Sequence, residues 1–212
     1  MAPNDPYLRE YADGVREIEV TINLMMARAK QTSSSLYMTF VELDDPYYNI
    51  AHSAVLEAIR QIPSAPIIRQ FVMCAQEFRR PGRGIMDGIE CELSRLVLGV
   101  CMNPVLKAID QSKGFPISAK ENLACKAFVE KLVIMAKTEE DMKEHLDKVG
   151  DALKAIGLEK IDAGRCRYVA MTFDNNQMSV KNDLDFQLAD QKIRGVQKRE
   201  SWQFLGKKFQ VK

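Results

Sequence analysis

Ser118-Ala119-Lys120-Glu121, Thr138-Glu139-Glu140-Asp141 and Gly157-Leu158 punctuate residues 118–173, and the punctuation reads as two helix starts and a helix stop. In the first motif Ser118 can accept from the amide three residues on, while Glu121 reaches back to the amide of Ser118. The residues that follow are apolar at Leu123, Ala124, Ala127, Phe128 and throughout 132–136, on more than one helical face, which predicts a helix central to a bundle. In the second motif the acids Glu139, Glu140 and Asp141 lie where a helix dipole favours them. Met142, Leu146, Val149, Leu153 and Ile156 then form one face. Gly157 can take the left-handed conformation of a helix stop, and Leu158 can make the accompanying hydrophobic contact. A last helix is expected over about 159–173, weakened by Gly164.

The same periodicity extends toward the N-terminus. Residues 1–13 read as an arm, and Ile18, Ile22, Met25 and Ala29 share a face of a helix over about 14–30. Residues 36–43 fit either a short strand or a continued helix. Asp44-Asp45-Pro46 is a start signal for a helix with Ile50, Ala54, Val55, Ala58, Ile59 and Ile62 inward. Further helices are expected over 67–78 and 85–100, separated by Arg79-Arg80-Pro81-Gly82-Arg83-Gly84. Asn103-Pro104 restarts the chain, and 113–116 is a turn. The expected fold is therefore all-α: a single multi-helix bundle over residues 14–173. A basic, aromatic C-terminal extension covers 174–212.

Composition excludes whole classes of protein. With 212 residues, 46% hydrophobic and 28% charged, the chain has enough apolar material for a packed core. A net charge of +1 supplies no global attraction to nucleic acid or anionic membrane, so any such attraction is local. The longest apolar runs, such as 132–136, are too short to span a bilayer, and the N-terminus has no signal-peptide pattern. Five cysteines, none spaced Cys-x-x-Cys, read as free thiols in an intracellular, reducing compartment, cytoplasmic by expectation.

Local motifs for chemistry are sparse. No phosphate-binding loop, dinucleotide fingerprint, Gly-x-Ser-x-Gly or His-Glu-x-x-His occurs. Asp44-Asp45, with Glu42 near them, reads as a helix cap rather than a metal site, and Asp174-x-Asn176 lacks the remaining ligands of a calcium loop. His52 and His145 read as surface or edge histidines. The expectation is no catalytic residue, no metal and no cofactor.

The segment from Leu146 to Leu158, with its Gly157-Leu158 end, resembles the helix that carries the haem-ligating histidine in globins. The Ser118 helix looks like the one over the distal haem face, so residues 67–173 are similar to a globin fold. Leu153 stands where that family has its histidine, and the resemblance therefore implies a fold without haem.

Two sets of residues carry the functional expectation. From Gln191 to Lys212 there are seven Lys or Arg against one Glu, together with Trp202, Phe204, Leu205 and Phe209. Such a tail either packs on its own domain or docks elsewhere. The leading expectation is a non-enzymatic structural subunit of a larger protein assembly, homo- or hetero-oligomeric, docking through those four apolar residues. On that reading, deleting 191–212 leaves the domain folded. The alternative is an RNA-binding helical coat or nucleocapsid-type protein, with Arg79, Arg80, Arg83, Lys198, Arg199, Lys207 and Lys208 on phosphates or an acidic partner. A globin-like sensor is the third reading.

Overall fold

The computed structural model describes residues 6–61 and 92–211. A mixed α/β architecture replaces the expected all-α bundle. Its centre is an antiparallel sheet built on three strands: β1 (Leu36–Glu42), β5 (Lys131–Ala136) and β6 (Arg167–Asp174). β1 lies between the other two and is antiparallel to both. β4 (Cys125–Phe128) extends the sheet beyond β5. On the other side, β7 (Gln177–Lys181) and β10 (Arg194–Gly195) both pair with β6, β10 in parallel. Three two-stranded ribbons complete the strands: β2 (Phe115–Pro116) with β3 (Asn122–Leu123), β8 (Gln187–Leu188) with β9 (Gln191–Lys192), and β11 (Ser201–Phe204) with β12 (Lys207–Gln210).

Both faces of the sheet are covered at its centre, which is why β1 and β5 do not alternate in polarity. All seven residues of β1 are buried, as are the last five of β5. A strand buried on both faces reads as a continuous apolar run, and such a run is indistinguishable by periodicity from a buried helix. Leu36, Met38 and Phe40 point to one face with Val133, Met135, Val169 and Met171. Helix α1 (Pro6–Thr32) covers this face through Ile18, Ile22, Met25, Met26 and Ala29. The β11–β12 ribbon covers the rest. Tyr37, Val41, Leu132, Ile134, Tyr168 and Ala170 point to the other face. There they meet five helices: α2 (Pro46–Asn49), α3 (His52–Gln61), α4 (Glu92–Cys101), α5 (Asn103–Ala108) and α6 (Glu139–Ala155).

The best-punctuated helix forms as its sequence indicates. Thr138 Oγ1 accepts from the Asp141 amide at 3.1 Å, and Met142, Leu146, Val149 and Leu153 are buried. Gly157 has φ +81° and its amide donates to the Lys154 carbonyl, while the Leu158 amide donates to that of Leu153. A Cβ on Gly157 would stand 2.8 Å from both the amide nitrogen and Cβ of Ala51, so the helix end also needs glycine for a close approach.

Other expectations are corrected. Ser118 starts no helix. The Ser118 Oγ accepts from the Lys120 amide, and the amides of Ile117 and Ser118 donate to the Glu121 carbonyl, so the same residues close a turn. The Ser118 helix is replaced by β3, β4 and β5, and the helix expected over 159–173 by β6. The arm is shorter than expected, because α1 begins at Pro6. Asp45 does sit at the cap position before Pro46, but at φ +40° and without a side-chain cap bond. The helix expected over 67–78 and the arginine loop lie outside the described residues.

The globin reading fails on the same observations. Leu153 faces a sheet-centred core, and the Ser118 segment, likened to the helix over the distal haem face, is made of strands β3, β4 and β5. His145, expected at the surface, is fully buried, with Nε2 3.2 Å from the Asp110 carbonyl oxygen. Burial pushes its pKa below the ordinary 6.5, against the upward pull of the Asp110 carbonyl and the Asp141, Glu144 and Asp110 carboxylates. The folded chain thus binds fewer protons here than the unfolded chain at pH values just below 6.5. This contribution to stability is complete above that pH and declines as pH falls through it. His145→Leu is expected to remove the decline, read as a flatter dependence of the urea midpoint on pH between about 5 and 7.5.

Candidate nucleic-acid interface

The apolar rows on the α1 face of the sheet all end in charge. Period-two alternation carries Leu36, Met38 and Phe40 into Glu42, Met135 and Val133 into Lys131, and Met171 and Val169 into Arg167. Register then gathers the ends, because Glu42 is directly opposite Lys131 and Phe40 is opposite Arg167. The Lys131 ammonium lies 2.7 Å from Glu42 Oε2, and the Arg165 guanidinium is 3.7 Å from the same oxygen. Glu42 keeps only 10% of its side chain exposed and Lys131 19%, so the pair is largely withdrawn from water.

These ends form the floor of a cleft of about 510 Å³. Gly164, Arg165 and Arg167 line one side, and the ribbon from Glu200 to Gly206 lines the other. Three cations (Lys131, Arg165, Arg167) face two carboxylates, and both carboxylates are engaged. Glu200 accepts from Arg194 at 2.8 Å and from the Gln197 amide at 2.9 Å. Arg165 also pairs with Asp162 at 3.1 Å, yet its side chain is 71% exposed and reaches the cleft mouth.

Local geometry sets these positions. The β4–β5 hairpin turns on Val129 and Glu130, with Val129 at φ +54°, an uncommon conformation for a β-branched residue. Lys131 follows the turn directly. Leu205 (φ +52°) and Gly206 (φ +70°) make the turn of the β11–β12 ribbon, in the twist that suits a tight hairpin.

The anticipated docking residues sit differently from one another. Trp202, Phe204 and Phe209 are 5%, 1% and 4% exposed and surround Phe40, so their area is spent inside this chain. Leu205 is half-buried and lines the cleft. Lys198, Arg199, Lys207 and Lys208 are exposed, with Lys207 3.1 Å from Glu19. Arg79, Arg80 and Arg83 lie outside the described residues. Glu42, Lys131, Arg165 and Arg167 were missed as a group, since only strand register unites them. Among the described cysteines, burial raises the Cys101 thiol to about 12 and that of Cys166 to about 11, so neither is an ionised nucleophile at neutral pH. Among the described residues no cluster of three or more His, Cys, Asp or Glu side chains has metal-site geometry, and no helix is long and apolar enough to cross a membrane.

With this geometry in place, similarities to known proteins become interpretable. The chain is 24% identical over 211 residues to a retrovirus-related Pol polyprotein from the type-1 retrotransposable element R2 of Nasonia vitripennis, covering 92% of this chain and 20% of the polyprotein. It is 21% identical over 209 residues to the corresponding R2 polyprotein of Bradysia coprophila, covering 92% and 24%. The chain thus spans about a fifth to a quarter of these relatives' length. Its fold is similar to that of an apo telomerase from Candida tropicalis truncated from its C-terminal domain. The TM-score is 0.53 at 13% identity, over 79% of this chain and 37% of the telomerase. No protein-family model matches. These similarities overturn the expectations of a non-enzymatic structural subunit, a helical coat and a globin-like sensor. The relatives are Pol polyproteins, and the structural neighbour is a telomerase.

Proposed function

We propose that this chain is the nucleic-acid-associated region of a reverse-transcriptase-type protein of the retrotransposon kind, and that its cleft and adjoining ribbon contact the phosphate backbone. The observation that carries this reading is the placing of Arg165 and Arg167, beside the Glu42–Lys131 pair, in a cleft of about 510 Å³ at the ends of the central strands. It is supported by similarity to the R2 polyproteins along 92% of the chain and by the shared fold with the telomerase. Around the cleft three cations stand against two carboxylates, a local excess of positive charge set beside the chain's net charge of +1. Lys198, Arg199, Lys207 and Lys208 extend the basic surface along the ribbon, and Arg79, Arg80 and Arg83 add further phosphate contacts. Free, high-pKa thiols fit work in a reducing, intracellular compartment.

The test is binding of a fluorescein-labelled single-stranded RNA, followed by anisotropy as salt is raised. With about three to five phosphates neutralised, affinity is expected to fall roughly tenfold to a hundredfold between 50 and 200 mM salt. Absence of binding at low salt, or binding indifferent to salt, would rule the reading out.

A further inference from the structure

Nucleic-acid polymerases work through two divalent cations about 3.5–4 Å apart, held between carboxylates. Magnesium requires oxygen ligands at about 2.0–2.1 Å in near-octahedral order. The cleft described above does not fit such a group. Its floor carboxylate, Glu42, is the sole buried carboxylate among the described residues. Its Oε2 already has the Lys131 ammonium at 2.7 Å and the Arg165 guanidinium at 3.7 Å. A divalent cation on that oxygen would have to share it with one fixed positive charge and sit beside a second. The other carboxylate of the cleft, Glu200, is held by Arg194 and the Gln197 amide.

The ion pair is built into the backbone. Glu42 and Lys131 are cross-strand partners in the β1–β5 ladder, so the register holds their backbones directly opposite each other. The hairpin that delivers Lys131 turns through Val129 at φ +54°, and the Glu130 carbonyl accepts from the Leu43 amide, fastening the tip beside β1. Strain at a β-branched residue persists only where the surroundings impose it.

We propose that Lys131 takes the place of a divalent cation as the counter-ion of Glu42, so that this cleft holds a phosphodiester backbone without metal, through Arg165 and Arg167. The second half of the statement rests on the nucleic-acid reading above; the first half does not. Arginine suits the role, because its planar fork matches two phosphate oxygens while Lys131 remains committed to Glu42.

Two measurements separate the halves. In the first, manganese is titrated into the full chain and free ion is read by electron paramagnetic resonance, with Glu42→Gln as the comparison. The proposal expects wild type and Glu42→Gln to give the same titration. A wild-type site that Glu42→Gln removes would overturn the proposal, whatever the result with RNA. Lys131→Asp, which places a second carboxylate opposite Glu42, is expected to bind manganese at least about tenfold more tightly than wild type. Should that variant not fold, the wild-type comparison still decides. In the second, RNA anisotropy is measured in EDTA and in millimolar magnesium. Affinities in the two are expected to agree within about threefold, the residual reflecting magnesium competing for phosphates. Binding that EDTA abolishes and magnesium restores would overturn metal independence. No binding in either condition would overturn the nucleic-acid reading and its phosphodiester half, leaving the Glu42–Lys131 assignment to stand on the manganese result.

Discussion

Phe40→Ala is expected to lower the unfolding free energy by about 4 kcal/mol, within the range for deleting a buried aromatic ring. Phe40 is 1% exposed at the centre of β1. Its ring centroid lies 5.2 Å from those of both Trp202 and Phe204 and 6.4 Å from that of Phe209. Removing it therefore forfeits three ring contacts as well as burial, each pair being worth about 0.5–1.5 kcal/mol beyond its area. The hole would lie between the sheet and the ribbon, where a rigid pleated floor cannot collapse to fill it. Against a typical total stability of about 5–15 kcal/mol, such a loss leaves a measurable unfolded population. Urea denaturation with two probes, tryptophan fluorescence and far-ultraviolet circular dichroism, is the check. Because Trp202 reports from the ribbon itself, coincident transitions would show that ribbon and sheet unfold together. A midpoint close to that of wild type would mean that the ribbon is a detachable appendage. The same packing reverses the expectation for the C-terminal segment. Deleting 191–212 removes β10, Val196, Trp202, Phe204, Phe209 and Val211 from the core, and folding is not expected to survive it.

Reversing charge at the cleft is expected to have the second large effect. Arg165→Glu with Arg167→Glu exchanges two phosphate-facing cations for anions, and affinity for single-stranded RNA is expected to fall by roughly two orders of magnitude at low salt. The salt slope should also become shallower by about two. Arg165 is 71% exposed and pairs with Asp162 at the surface, but glutamate there also sets a carboxylate beside the buried Glu42, so the denaturation midpoint of this single variant is measured too. Arg167 donates to the Cys166 carbonyl at 2.6 Å, and the denaturation midpoint of the double variant therefore accompanies the binding measurement. A folded double variant that binds as wild type would place the interface elsewhere. Lys198→Glu and Arg199→Glu, on the exposed approach to the ribbon, serve as comparison and are expected to weaken binding by a smaller factor.

How far the sequence disclosed this molecule depended on the kind of signal each element carries. The helix Glu139–Ala155 has a side-chain cap, an amphipathic face and a glycine stop, all local, and all are realised within the helix and its flanks. The strands have no such signature. Lys131–Ala136 and Arg167–Asp174 are covered on both sides, so their inward and outward residues are equally apolar, and the alternation that marks a half-exposed strand is absent. Ser118-x-x-Glu121 misled because serine hydroxyls cap turns as readily as helices. Asp174-Asn175-Asn176-Gln177 carries a turn signal in its paired asparagines. Asn175 and Asn176 both have positive φ, and the segment closes the β6–β7 hairpin. That dipeptide, with the alternation of Gln177–Lys181 and Ser201–Phe204, was the available signal for strands after Phe173.

The cleft was less legible still. Positions 42, 131, 165, 167 and 200–206 are scattered through the chain, and only pairing register brings them together. One trace was present in the sequence: a charged residue at the end of each apolar row, Glu42 after Leu36-x-Met38-x-Phe40 and Lys131 before Val133-x-Met135. With 131–136 read as helix and 36–43 open between strand and helix, those residues belonged to polar flanks and carried no meaning. The aromatic tail posed a choice between internal packing and docking, and the sheet face that Trp202 and Phe209 cover supplies the internal site.

The most direct test of the account is to locate nucleic acid on the folded chain by ultraviolet crosslinking of a short RNA, followed by mass spectrometry of the crosslinked peptides. Crosslinks are expected within 164–168 and 200–206, the two walls of the cleft, and to disappear in Arg165→Glu with Arg167→Glu. Crosslinks confined to the helical face formed by α2–α6, or none at concentrations where the RNA is bound, would contradict it.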